Sequence, residues 1–366
     1  MSQKARNADY TREYNRKTLL RILRSSPMSR AELARATGLT RAATSLIVED
    51  LLAEGCLREL PPQSVGRGRS ATPLAVQGDS FYALGVELAR RGCSVGLVDI
   101  AGNMLAYRHI LDEEDLIGSI ISELEKLEQL VDREKILGIG ISSPGPLDRK
   151  KGQILNPPLF ERWHGVEITT LLSDALHLPA YLEHDVRAMT MRRLTLGDSQ
   201  DFMLLFVDTG IGAAIASGGK LIGITGELGH TTIRFDGRLC ACGNRGCLET
   251  YAGIPRLLDG SKFHSWRELI DNVDQDPEAK RLLDQEAVYL AAGIINLLNL
   301  IPVDTIYLAS EVTYGGEKLA PRIQREIGTK SLFRRRNSVR IHASPQGEQE
   351  AVLAAADVVF TEFLSV

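Results

Sequence analysis

The chain has 366 residues, 44% of them hydrophobic, and a formal net charge of −4; this length favours two or three domains, and the balance is that of an ordinary globular protein. The opening run MSQKARNADYTREYNRK is polar, and the longest apolar stretch, Leu290 to Val303, is broken by Asn296 and Asn299. No secretory leader and no membrane span are therefore expected, and the cytoplasm is the expected location. Charge is uneven: residues 1–76 hold 13 Lys and Arg against 7 Asp and Glu, while the remainder holds 30 against 40. A basic head on an acidic body predicts that only the head meets a polyanion.

In residues 15–25, Leu19, Leu20, Ile22 and Leu23 fall at helical spacing, and Pro27 stops the helix. Ser29 with Glu32 three residues on reads as the capping box of a second helix that ends at Gly38. Thr40 is the N-cap expected for a third helix, from about Arg41 to Ala53. Helix, short glycine turn, helix is the helix-turn-helix pattern, with Ala34, Leu39, Ile47 and Leu51 as its small core. The third helix opens on Thr40, Arg41, Ala42, Thr44 and Ser45, small and hydrogen-bonding residues suited to base edges in a major groove. CLREL and ATPLAV then read as a hairpin wing whose tip carries Arg67 and Arg69 between glycines, a shape suited to a narrow minor groove. The expected partner is double-stranded operator DNA; a protein-binding helical bundle is the alternative.

From Phe81 the pattern becomes α/β. YALGVELARRGCSVGLVDIAGNMLAYRHI reads as two or three strands, a helix follows over roughly 115–132, and ILGIGISS is a buried strand. FMLLFVDTGIGAAIASGGKLIGI repeats the plan of strand, glycine-rich turn and strand, which predicts a duplicated architecture of two lobes with a cleft between them. A helix and the strand TIYLAS occupy 290–312, and the chain closes on the apolar helix GEQEAVLAAADVVFTEFL. The expected divisions are 1–76 for the winged helix-turn-helix, 80–190 for the first lobe and 191–366 for the second, with the last helix returning to the first lobe.

Three of the five cysteines lie within eight residues, and an odd total argues against a disulfide framework. His230, Cys240, Cys242 and Cys247 stand in H-x9-C-x-C-x4-C order. Four N/S ligands on one short loop predict a structural Zn²⁺ site with no open position.

The Gly226-Glu227-Leu228-Gly229-His230 run with its Cys cluster, the Pro144-Gly145-Pro146 turn and the Glu183-His184-Asp185 segment resemble the ROK family of repressors, open reading frames and sugar kinases. The resemblance runs over most of the chain. It implies an actin-like ATPase fold whose lobes close over ligand, and the winged head resembles that of the regulator branch. It further implies that Asp185 stands at the family's general base, that Glu227, His230 and Glu249 keep its sugar-contacting types, and that His230 serves both zinc and sugar. His184 stands where the family usually has Asn, and Leu159 where it has a second sugar-binding Asn. The kinase phosphate turn Asp-x-Gly-Gly-Thr matches Glu87-Leu88-Ala89-Arg90-Arg91, in which arginines can attract phosphate but also fill the space it needs. Asp208-Thr209-Gly210-Ile211-Gly212 is largely kept, and Leu308-Ala309-Ser310 lacks the adenine-facing glycines.

The resulting expectation is a regulator, not an enzyme: a repressor of carbohydrate metabolism that senses a carbohydrate-like ligand at His184, Asp185, Glu227, His230 and Glu249. A homodimer or homotetramer is expected because helix-turn-helix proteins read paired half-sites. The alternatives are an ATP-dependent sugar kinase, a regulator whose pocket has drifted to another ligand or none, and an oligomerisation scaffold.

Overall fold

The structure is a computed structural model and describes residues 8–62, 72–90, 92–111, 114–197, 199–223, 226–330, 332, 339–343, 347 and 349–365. In the head, α1 (Ala8–Ser25) is followed by β1 (Met28–Ser29), α2 (Arg30–Thr37), α3 (Arg41–Ala53), β2 (Leu57–Glu59) and β3 (Pro73–Val76). α1 begins before the apolar spacing that marks it in the sequence. The Ser29–Glu32 capping box closes both ways, Gly38 turns left-handed at φ 73°, and Thr40 accepts from the Ala43 N–H. β2 and β3 pair as an antiparallel hairpin, and β1 adds a third strand, too short to carry a sequence signal. Arg67 and Arg69 lie outside the described residues. Arg12 pairs with Asp50 at 2.6 Å and Arg16 with Glu54, tying α1 to α3.

The body contains two five-stranded sheets of one topology. In the first, β4 (Tyr82–Ala89), β5 (Gly92–Asp99) and β6 (Met104–Ile110) form an antiparallel meander, α4 (Leu116–Glu128) crosses over, and β7 (Ile136–Ser143) lies parallel to β4. A small hairpin, β8 (Leu147–Asp148) with β9 (Gln153–Ile154), and α5 (Ile168–Leu176) lead to β10 (Ala180–His184), parallel to β7. α6 (Asp185–Leu196) then enters the second half.

There, β11 (Phe202–Val207), β12 (Ile211–Ser217) and β13 (Lys220–Leu221) repeat the meander. Short helices α7 (Glu249–Ala252), α8 (Ile254–Leu258) and α9 (Trp266–Asn272) lead to α10 (Pro277–Leu298). β14 (Thr305–Ala309) runs parallel to β11, α11 (Gly316–Lys330) crosses over, and β15 (Arg340–His342) runs parallel to β14. The strand orders β6-β5-β4-β7-β10 and β13-β12-β11-β14-β15 are the same walk taken twice, which is the duplication legible in the sequence. The final helix, α12 (Glu350–Phe363), packs on β4, β5 and β7 and against α6, whose other side meets β12.

Each half has its own apolar core, one of Leu84, Val86, Ile120, Ile139 and Trp163, the other of Leu205, Ile215, Trp266, Leu290 and Ile306. α12 can lie so close to the first sheet because it is small-sided at Ala354, Ala355 and Ala356, and because Gly85 and Gly140 offer no side chain where Val352 O and Ala355 O would meet it. The head is not a separate bead. Leu19, Leu33, Leu51 and Leu74 share a cluster with Val98, Ile100, Ala356 and Phe360 of the body. No described helix is long and apolar enough to cross a membrane.

Candidate functional site

The cleft between the two sheets is lined by Arg90, Gly145, Pro158, His184, Asp185, Gly210, Glu227, His230 and Glu249 among others, around roughly 360 Å³ of empty space that opens to solvent. All five ligand-binding residues expected from the sequence face this one cleft. Their convergence follows from topology. His184 ends β10, Asp185 starts α6, Gly210 is the β11–β12 turn, and Glu249 starts α7, so strand ends and helix starts from both halves meet there.

The His184 ring sits between two carboxylates, Nδ1 2.7 Å from Asp185 Oδ1 and Nε2 3.3 Å from Glu227 Oε1. Burial pushes its imidazole down, but Asp185 and then Glu227 outweigh that and raise it to about 10. A protonated ring at His184 would neutralise the two carboxylates beside it. Gly145 is dictated by the same arrangement: a side chain there would run into the His184 ring and Glu227 Oε1. Glu249 Oε2 accepts from the Ile211 N–H at 3.2 Å, which fixes it to the second turn. On β4, burial pushes Glu87 up to about 7; Ser94 opposes this with a hydrogen bond, and the Asp185 and Asp208 carboxylates add to it.

Two residues differ from their sequence reading. Leu159 does not crowd the pocket: it is 53% exposed at φ 59°, and its neighbour Pro158 lines the cleft instead. Thr44 does not reach outward. It is wholly buried in the head, and its hydroxyl donates to the Thr40 carbonyl at 3.0 Å. On a 3.6-residue repeat the position three beyond Arg41 turns inward when Ile47, Val48 and Leu51 form the buried stripe. The exposed face of α3 carries Arg41, Ala42, Leu46 and Glu49, with Ser45 half-buried and Thr40 exposed at its cap.

The metal-ligand set also closes up. The ligand atoms of His230, Cys240, Cys242 and Cys247 all lie within 4.8 Å of one another. Cys242 Sγ is 3.7 Å from Cys247 Sγ, and Cys240 Sγ is 3.6 Å from His230 Nδ1. A zinc–sulfur bond of about 2.3 Å puts tetrahedral ligands about 3.8 Å apart, so the spacing fits a metal ion. Burial is the main reason the Cys240 thiol is pushed up to about 12; a bound cation is what would hold these sulfurs as thiolates. The loop is pinned by the Arg238 N–H donating to Tyr251 Oη at 2.9 Å. His230 has one ring nitrogen at this cluster and also lines the cleft, so the His/Cys loop and the cleft share a residue.

Sequence reasoning left Arg90 and Gly145 out of the site. Arg90 follows a strand in the sequence, which does not say where its side chain goes. It reaches across the cleft to Pro158 O at 3.4 Å and to the edge of Gly210.

The model of the ROK family matches residues 83–362. The chain belongs to the ROK family. It is 26% identical to the xylose repressor of Bacillus spizizenii over 98% of this chain and 97% of that one. It is 27% identical to the N-acetylglucosamine repressor of Escherichia coli O6:H1 over 96% and 93%. Among solved structures it shares the fold of a ROK family transcriptional regulator, a homologue of the E. coli MLC protein, at a TM-score of 0.79 and 23% identity, covering 97% of both chains. A ROK family glucokinase from Streptomyces griseus, solved with glucose and AMPPNP, aligns at a TM-score of 0.66 and 22% identity. That match covers 98% of the kinase but 76% of this chain: the kinase fold accounts for about as much of this protein as the body does.

Proposed function

We propose that this protein is a sequence-specific DNA-binding transcriptional regulator, a repressor of carbohydrate metabolism, that senses a carbohydrate-like ligand in the cleft without phosphorylating it. The observation that carries this reading is that relatives named as repressors align from end to end, head included. The head is a winged helix-turn-helix, α3 is its recognition helix, and Thr40, Arg41, Ala42 and Ser45 with Arg67 and Arg69 meet the DNA. Kinase chemistry is disfavoured because the turn that should cradle phosphate on backbone amides presents Arg90 instead. The protein acts as a symmetric oligomer, since paired half-sites need paired heads.

The ligand rests on Asp185, Glu227, His230 and Glu249, which offer acceptors and a ring to sugar hydroxyls, with His184 holding the first two in place. The metal is zinc in a structural role, since four protein ligands leave no position open for substrate. Metal analysis of protein never exposed to chelator should give about one zinc per chain, and Cys242→Ser should lose it.

The regulatory reading is tested by retention of genomic fragments on full-length protein, followed by titration with sugars. Retention should fall with rising salt as counterions are released. Arg41→Ala should weaken specific binding by about tenfold, whereas Thr44→Val should leave base contacts intact. Asp185→Asn should blunt the ligand response and spare DNA binding by the free protein. Failure to retain any fragment, or ATP-dependent phosphorylation of a sugar, would refute the reading in favour of the scaffold or the kinase.

A further inference from the structure

Two basic side chains line the cleft, and they differ in the carboxylates beside them. His184 is clasped by Asp185 and Glu227. Arg90 has no ion pair among the described residues. One of its terminal nitrogens donates to Pro158 O at 3.4 Å, a long contact, and its Nε is buried without a partner. A guanidinium has five N–H donors in a fixed fork, so most of this one is unspent. Glu249 stands across the Gly210 turn from it: the Arg90 terminal nitrogens and Glu249 Oε2 are 3.2 and 3.1 Å from the point where a side chain on Gly210 would begin. Glu249, however, accepts from the Ile211 N–H, not from Arg90. A buried donor left without an acceptor is costly, and the cost is recovered when a ligand supplies the acceptor.

We infer that the ligand is an anionic sugar, a sugar phosphate or a sugar acid, whose negatively charged group is received by the Arg90 fork while its hydroxyls meet the carboxylates of the same cleft. The inference rests on the reading of the cleft as an effector site and sharpens it to one chemical class. Phosphate and carboxylate share the planar pair of acceptors that a guanidinium matches bidentately. Arg90 sits at the tip of β4 against the Gly210 turn, so a bridging anion would join the two halves of the body and favour the closed arrangement over the open one.

The test is calorimetry of the full-length protein against glucose, mannose, galactose and N-acetylglucosamine, each as the neutral sugar and its 6-phosphate, with glucuronate, galacturonate, inorganic phosphate and MgATP alongside. At least one anionic sugar should bind about tenfold or more tightly than its neutral parent. Arg90→Gln should erase that margin while neutral sugars keep their affinity, and Arg90→Lys should restore part of it. The relative affinities of phosphates and uronates identify which anion the fork prefers. Thermal melting of each variant without ligand checks that it is folded, and the Lys variant carries the test if the Gln variant is not. Neutral sugars binding as tightly as their phosphates would overturn the inference and leave the effector cleft standing. Inorganic phosphate binding as tightly as any sugar phosphate would remove the sugar from it, and MgATP binding lost in Arg90→Gln would assign the fork to nucleotide. Silence in every arm would overturn both the inference and the reading it rests on.

Discussion

Near the C-terminal end of α6, Arg192 donates to Glu350 at 2.8 Å and to Asp357 at 3.2 Å, and Asp357 also accepts from Arg24 of α1 at 2.6 Å. Arg24 spends a further donor on Ile100 O at 2.7 Å and lies over the Phe360 ring. At the N-terminal end of the same helix, His184 and Asp185 face Glu227, Glu249 and Arg90 across an open cleft. Both ends gather charge away from water. At one end both Asp357 oxygens are bound and the group joins head, α6 and α12. At the other, the buried Arg90 Nε has no protein partner, and the carboxylates are partly open to solvent. A charge network completed by the protein fixes a geometry; one left incomplete waits for something the protein does not contain. α6 runs between them, from the cleft to the junction with the head.

The strongest way to break this contrast is to open the completed end. Asp357→Ala leaves the buried Arg24 guanidinium without a counter-charge and Arg192 with Glu350 alone, and should cost about 3–5 kcal/mol, read from urea unfolding. Glu227→Gln, at the incomplete end, should cost under about 1 kcal/mol by the same measurement, since its carboxylate is part exposed. Equal costs would mean that the cleft is as structural as the junction.

Glu286 sharpens the contrast from a third position. It is wholly buried on α10 with neither carboxylate oxygen bonded, and burial pushes it well above the ordinary carboxylate range. With its folded value raised, its contribution to stability is fully present below the unfolded value of 4.5 and is lost as pH rises. Glu286→Leu should therefore stabilise the protein by about 1–3 kcal/mol at neutral pH and flatten the decline above the unfolded value. No gain would mean that the carboxyl has a hydrogen-bonding role.

A change of pH tests the incomplete end through His184. Its folded value is also raised, from 6.5 to about 10, so its contribution is fully present below 6.5 and disappears as pH climbs through about 10. Stability measured across that window should slope downward in the wild type and more gently in His184→Asn. A variant with the wild-type slope would place the titrating group elsewhere.

Much of this molecule was legible without coordinates because its signals are local. The capping box at Ser29, the left-handed stop at Gly38 and the cap at Thr40 each act within four residues. The His/Cys cluster is readable because three of its four members come from one eight-residue loop, and the two halves announce themselves by repeating strand, turn and strand. Asp357 gave a partial signal, a lone charge in the apolar run AVLAAADVVF, without naming its partners.

Tertiary packing decided the rest. Arg24 and Asp357 are 333 positions apart, and no periodicity connects them; they meet because α12 returns to the first sheet and the head docks on it. Thr44 looked like a base reader until the buried stripe of α3 fixed which face turns inward, and Leu159 looked like a pocket residue until a left-handed backbone carried it into solvent. Arg90 stood in the sequence as a basic residue after a strand; what surrounds its guanidinium, Pro158 O and the Gly210 turn, comes from far along the chain. Sequence fixes local conformation through short-range hydrogen bonds and apolar spacing. Whether a charge ends up paired or waiting is set by what the fold brings against it.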